Sequence, residues 1–114
     1  MAQEVYVVTM SGYSEDGFGD YSGLPIGLFQ TEELALESIS KYIEYKRREA
    51  EENCDSEDAI AKIRNFTYNI QDVFSSGGIC ITDIYEDAYL RDTYIECSTK
   101  KLYDKVPDVE ELRP

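Results

Sequence analysis

The alternation of apolar and polar residues predicts β-strands near both ends of the chain. Residues 5–10 are rich in β-branched and aromatic side chains, and three valines in four positions favour a strand in the interior of a sheet. Residues 79–85 and 93–99 predict two further strands, the second returning beside the first. Residues 24–29 predict a short edge strand, because Pro25 has no N–H to donate to a neighbouring strand.

Between these strands the apolar residues recur at helical spacing. Thr31 predicts the N-cap of a first helix, whose apolar stripe ends at Ile43, so that the polar residues 46–52 are expected to project into solvent. A second helix is expected to start at a cap on Asp55 or Ser56. Its apolar positions advance by three or four, and they are Ala59, Ile63, Phe66, Ile70, Val73 and Phe74. Residues 11–23, with four glycines, predict a long loop.

These elements predict a single α+β domain spanning residues 1–114. We expect a small antiparallel or mixed sheet of about four strands, in the order strand, strand, helix, helix, strand, strand, with two helices packed on one face. Residues 104–114 are expected to form a frayed tail.

The net charge limits the classes of partner that the chain is expected to bind. The chain has 24 acidic and 11 basic residues, a net charge of −13, and residues 1–30 hold four acids and no base. Residues 79–99 hold five acids and one base. A field of this sign repels nucleic acid and anionic membranes, so we expect neither as a direct partner. It steers the protein toward basic partners.

The cysteines and the N-terminus bear on location. Cys54, Cys80 and Cys97 are odd in number and widely spaced, which does not fit a disulfide framework. Cys80 and Cys97 lie in apolar runs and are expected to be buried. The first residues lack a basic stretch and no apolar run approaches about 20 residues, so we expect no signal peptide and no membrane span. A cytoplasmic protein is expected.

Candidate chemistry is limited by the absence of histidine from the chain. Catalytic triads that contain histidine are therefore impossible, and neither a phosphate-binding loop nor a dinucleotide fingerprint occurs. We expect no enzyme, no cofactor and no bound metal. Carboxylates of the glycine-rich loop leave a hard-cation site open as an alternative, although a solvated acidic loop is the more ordinary interpretation.

Two groups of residues are candidates for binding a partner. The first combines aromatic and acidic side chains in the glycine-rich loop: Tyr13, Glu15, Asp16, Phe18, Asp20 and Tyr21. The second is a ridge of acids along and between the last two strands, where tyrosines are interspersed: Asp83, Glu86, Asp87, Asp92 and Glu96. Such a ridge imitates a series of phosphates, and it equally fits the wet face of an antiparallel sheet.

The strand of residues 5–9 followed by residues 26–39 resembles small uncharacterised proteins of bacteriophages and other mobile elements. The shared motif is the strand-to-helix junction Ile26-Gly-Leu-Phe-Gln-Thr-Glu-Glu-Leu-Ala35, with a later strand at residues 79–85. In size and acidity the chain also resembles phage inhibitors of bacterial defence, including anti-CRISPR proteins and other DNA mimics. This resemblance implies a phage-infected bacterial cell as the setting.

The expected function is therefore that of a non-enzymatic acidic inhibitor, which occupies a basic nucleic-acid-binding surface of a host protein such as a CRISPR effector. Two alternatives stay open at this point. One is a carboxylate-dependent metal enzyme of the phosphoesterase kind. The other is a structural or regulatory phage accessory domain that acts as a homo-oligomer.

Overall fold

The protein folds as the predicted α+β structure, a four-stranded antiparallel sheet with two helices. The computed structural model describes residues 3–14, 17, 20–84, 92–108 and 110. Within them the strands lie side by side in the order β2-β1-β4-β3. The elements are β1 (Gln3–Tyr13), β2 (Tyr21–Phe29), α1 (Glu32–Glu52), α2 (Glu57–Asn65), β3 (Ile79–Cys80) and β4 (Asp92–Leu102).

The two long strands β1 and β4 form the centre of the sheet. They pair antiparallel over their whole length, from Gln3 opposite Leu102 to Tyr13 opposite Asp92. Alternation places one set of their side chains toward the helices, and these are buried: Val8, Met10, Ile95 and Cys97. The predicted interior position of the first strand is confirmed.

The edge strand β2 also agrees with the sequence. Pro25 lies opposite Thr9 at a shift in the β1–β2 register, where a missing N–H disturbs the fewest hydrogen bonds. The loop predicted over residues 11–23 is wrong at both ends, because β1 continues to Tyr13 and β2 begins at Tyr21. Ser11 and Gly12 continue the strand because β4 extends beside them and pairs with them.

Helix α1 begins where predicted, and Thr31 Oγ1 accepts a hydrogen bond from the Leu34 N–H at 3.2 Å. The prediction that its second half projects into solvent is wrong. Ala50 is only 3% exposed, and Arg47 Nη2 donates to the Phe66 carbonyl at 2.7 Å. The polar turns of α1 are thus the surface on which α2 and the segment after it pack, with the Arg47 guanidinium over the Phe66 ring.

The second helix is shorter than predicted. It starts at the expected cap, with Ser56 Oγ accepting from the Ala59 N–H, but it ends at Asn65. Phe66 is extended, and the chain then forms a separate 3₁₀ helix, Ile70–Phe74, that Asn69 caps. Apolar positions three or four apart fit both arrangements. Asn69 favours the break because its side chain competes for backbone N–H groups.

Strand β3 has two residues where seven were predicted. After Cys80 the chain turns into the 3₁₀ helix Thr82–Ile84. Ile81 and Ile84 are both buried, which strict strand alternation would forbid for residues three apart. The turn is held by β4, since Thr93 N–H donates to Thr82 Oγ1 at 3.0 Å. Of the loop predicted over residues 86–92, residues 86–91 lie outside the described residues, and Asp92 is the first residue of β4.

Two adjacent glycines before β3 offer a test of how closely this segment packs against β4. Gly77 and Gly78 both have positive φ, 85° and 70°, so alanine is strained at either position by about 1–2 kcal/mol. A Cβ on Gly77 would meet open space, whereas one on Gly78 would overlap the Ile95 carbonyl and Glu96 Cβ. Gly78→Ala should therefore lower the free energy of unfolding by about 1–3 kcal/mol more than Gly77→Ala, measured by urea denaturation. Equal losses would contradict the approach of Gly78 to β4.

Candidate protein-binding surface on the open face of the sheet

The side of the sheet turned away from α1 and α2, called here the open face, carries the residues that alternate with those of the core, and two of them on β1, Thr9 and Ser11, are also buried. On β4 these are Asp92, Tyr94 and Glu96, and the register sets them opposite Tyr13, Ser11 and Thr9 of β1. The same strand therefore supplies the core on one side and an aromatic residue between two acids on the other. Regular alternation along β4 produces this arrangement.

Two tyrosines form the centre of the surface. The rings of Tyr13 and Tyr94 meet edge to face, with centroids 6.0 Å apart and planes at 63°. Tyr13 is 40% exposed and Tyr94 is half-buried, so the pair presents ring surface to a partner. Each ring restricts the other, and less conformational entropy is lost when a partner binds.

An acid and a thiol surround the Tyr94 phenol. The Asp92 carboxylate is the main cause that raises the pKa of Tyr94 above its ordinary value of 10.0, and Cys80, burial and Tyr13 add to it. Cys80 pairs with Tyr94 across the β3–β4 ladder. The phenol therefore keeps its proton, and can donate a hydrogen bond, up to a higher pH than an isolated tyrosine does.

The cysteines divide between the two faces. Cys80 is exposed on the open face, so its predicted burial is wrong, because β3 pairs with β4 in the register that turns it outward. Its Sγ lies 3.1 Å from Thr82 Oγ1. Cys97 is buried as predicted, and burial, with a smaller effect of Glu32, raises the pKa of its thiol. All three cysteines are free thiols.

The glycine-rich loop contributes less than the sequence predicted. Asp20 Oδ1 accepts hydrogen bonds from the Ser14 N–H at 2.6 Å and the Ser14 hydroxyl at 2.9 Å, so this carboxylate closes the turn between β1 and β2. Tyr21 lies opposite Gly12 and packs against the core. Three further members of the predicted loop group lie outside the described residues: Glu15, Asp16 and Phe18.

The predicted acidic ridge is partly brought together. Asp92 and Glu96 share the open face, while Asp83 is exposed on the 3₁₀ helix after β3. Glu86 and Asp87 lie outside the described residues. Tyr94 is one of the tyrosines interspersed among these acids, and it was not predicted to be a binding residue. Its position two residues from each of them on an alternating strand was the signal that placed all three on one face.

Farther along the sheet the open face changes character. Val5 and Val7 are half-buried there, Leu28 of the edge strand is 71% exposed, and Lys100 lies opposite Val5. The open face is thus acidic and aromatic at the Tyr13 end, apolar in the middle and basic at the far end. Only the acidic end suits a cationic partner.

Neither a metal cluster nor a membrane helix occurs in the described part of the chain. No three or more Cys, Asp or Glu residues there are grouped so as to hold a metal ion, and no described helix is long and apolar enough to cross a membrane. Comparison with models of known families, with curated proteins and with solved structures found no match to this chain.

The contact between Asp92 and Tyr94 can be tested by titration. Asp92→Asn removes the negative charge that opposes the phenolate, so it should lower the pKa of Tyr94 toward 10.0, followed by NMR of the tyrosine Cζ carbons. Asp83→Asn is the matched control and should leave the titration unchanged. Because folding raises this pKa, the stability that Tyr94 contributes is present below pH 10 and decreases as pH rises through the folded-state pKa. An Asp92→Asn titration identical to the wild type would contradict the arrangement.

Proposed function

We propose that this chain is a non-enzymatic, acidic, phage-encoded inhibitor that binds a basic nucleic-acid-binding surface of a host protein, such as a CRISPR effector. One observation carries the proposal. Asp92 and Glu96 flank Tyr94, which packs edge to face on Tyr13, on the face of the sheet that the helices leave open. The acidic end of the open face is the proposed contact surface.

The chemistry of these side chains suits arginine and lysine. A carboxylate accepts charge-assisted hydrogen bonds from a guanidinium or ammonium group, and a tyrosine ring attracts a cation over its face. Asp92 and Glu96 are four residues apart on one strand, which places them about 13 Å apart along it. The two acids can therefore contact two separate cationic side chains of a basic surface.

Net charge supports the same partner class. A charge of −13 attracts a basic protein over long distances and accelerates encounter, and salt weakens this attraction. Among the described residues neither Asp92 nor Glu96 forms an ion pair within the chain. Their charge is thus available to a partner. The phage setting and the bacterial cytoplasm rest on the resemblance of residues 5–9 and 26–39 to small phage proteins.

Competition with nucleic acid tests the proposal. A panel of purified bacterial nucleic-acid-binding proteins, guide-loaded CRISPR effectors among them, is saturated with a fluorescently labelled duplex, and displacement is followed by anisotropy. The wild-type chain should displace the duplex from a member of the panel, and its direct binding to that member should be weaker at about 200 mM than at about 50 mM salt. Asp92→Asn with Glu96→Gln should raise the half-displacing concentration at least about tenfold, because two charged hydrogen bonds are lost.

A second pair of substitutions separates the surface from overall charge. Glu52 and Asp55 are exposed around the turn between α1 and α2, and Glu52→Gln with Asp55→Asn changes net charge by the same amount. This control should change the half-displacing concentration less than about threefold, since screening weakens charges more than about 10 Å from the contact. Equal losses for the two pairs, or no displacement from any member of the panel, would count against the proposal.

A further inference from the structure

A cavity of about 160 Å³ lies between α1 and the helix side of the sheet, next to the edge strand. Its floor consists of Val8, Ile39 and Ile95, all at most 2% exposed. These three residues come from β1, α1 and β4, so buried core residues set the shape of the innermost part of the cavity.

The outer wall of the cavity is made by β2. Gly27 has no side chain, and the Phe29 ring lies against its backbone in the space that a Cβ would fill. Ile26 also lines the cavity and is 41% exposed, which places the mouth at the edge of the sheet. Ile26 and the Phe29 ring therefore border the mouth, through which the cavity is open to solvent.

The polar atoms of the lining are few and uncharged. Ser38 and Tyr42 supply one hydroxyl each, and the Tyr42 hydroxyl lies 3.3 Å from Met10 Sδ. Among the described residues no charged side chain lines the cavity, although 31% of the chain is charged. An ionic ligand would lose its hydration without a compensating partner, whereas a neutral apolar one would not.

We propose that this cavity binds a small neutral apolar molecule of about the size of a single six-membered ring. Apolar cavities of about 150 Å³ in proteins exclude water and take up benzene. The chemical class is thus a monocyclic hydrocarbon or a fragment of similar bulk. This site is separate from the open face and does not depend on the proposed inhibition.

Benzene is a suitable probe, and its binding can be followed in two ways. At about ten times its dissociation constant, benzene should raise the thermal midpoint of unfolding by about 5 °C. Methyl NMR of the same samples should show shifts concentrated on Val8, Ile26, Ile39 and Ile95.

Two serine substitutions on α1 provide a matched comparison. Ser38→Leu extends a side chain into the cavity and should abolish both effects of benzene, while raising the midpoint of the free protein. Ser40→Leu makes the same change two residues away, beside Lys41 and Glu44 on the outer surface of the helix, and should leave benzene binding intact.

Two kinds of result would overturn the proposal. The first is a failure of the NMR test, either because the wild type shows no methyl shifts up to the solubility limit of benzene or because Ser38→Leu shows equal shifts. The second is a dimer in light scattering whose intermolecular NOEs place a second copy against Ile26 and Phe29 and which benzene does not dissociate. In that case the cavity would be part of an interface between copies.

Discussion

The pairing of β1 with β4 is the interaction on which the rest of the structure depends. It joins segments near opposite ends of the chain through an unbroken register from Gln3–Leu102 to Tyr13–Asp92. Closing so long a loop costs conformational entropy. Burial of apolar surface offsets this cost on the face that the two strands share, where Val8, Met10, Ile95 and Cys97 form the surface against which α1 packs.

This register also determines the candidate site. A slip of one residue would turn Ile95 and Cys97 to the solvent and bring Tyr94 and Glu96 into the core, at the cost of burying a carboxylate. Burial of the apolar set therefore fixes the outward direction of the acids and of the tyrosine between them. Tyr13 meets Tyr94 for the same reason, since it lies on the outward set of β1. The outward orientation of the candidate surface therefore follows from core packing.

Local patterns predicted those parts of the fold that local interactions determine. A run of β-branched and aromatic residues identified β1, and alternation identified β4. The caps at Thr31 and Ser56 occur where short polar side chains precede apolar periodicity. Long-range contacts account for the failures. The polar end of α1 is covered because Arg47 bonds the Phe66 carbonyl, and β3 ends early because a turn lets Ile84 join Ile81 in the core. Spacing alone does not distinguish these outcomes from a solvated helix or a longer strand. For the site, composition located the acids, but only the strand register showed that Asp92, Tyr94 and Glu96 share a face.

The distribution of charge explains how a strongly acidic chain keeps its fold. The ion pairs of the described residues lie along the helices, such as Lys41–Glu37 at 3.2 Å, and exposed pairs of this kind contribute little stability. Stability therefore rests on the isoleucine-rich core, in which none of the described residues that are buried is charged. Acids on the open face are separated along an extended strand, where water and salt screen their mutual repulsion. Because the buried core does not include them, the charge of the β4 carboxylates can change without a corresponding change in the core.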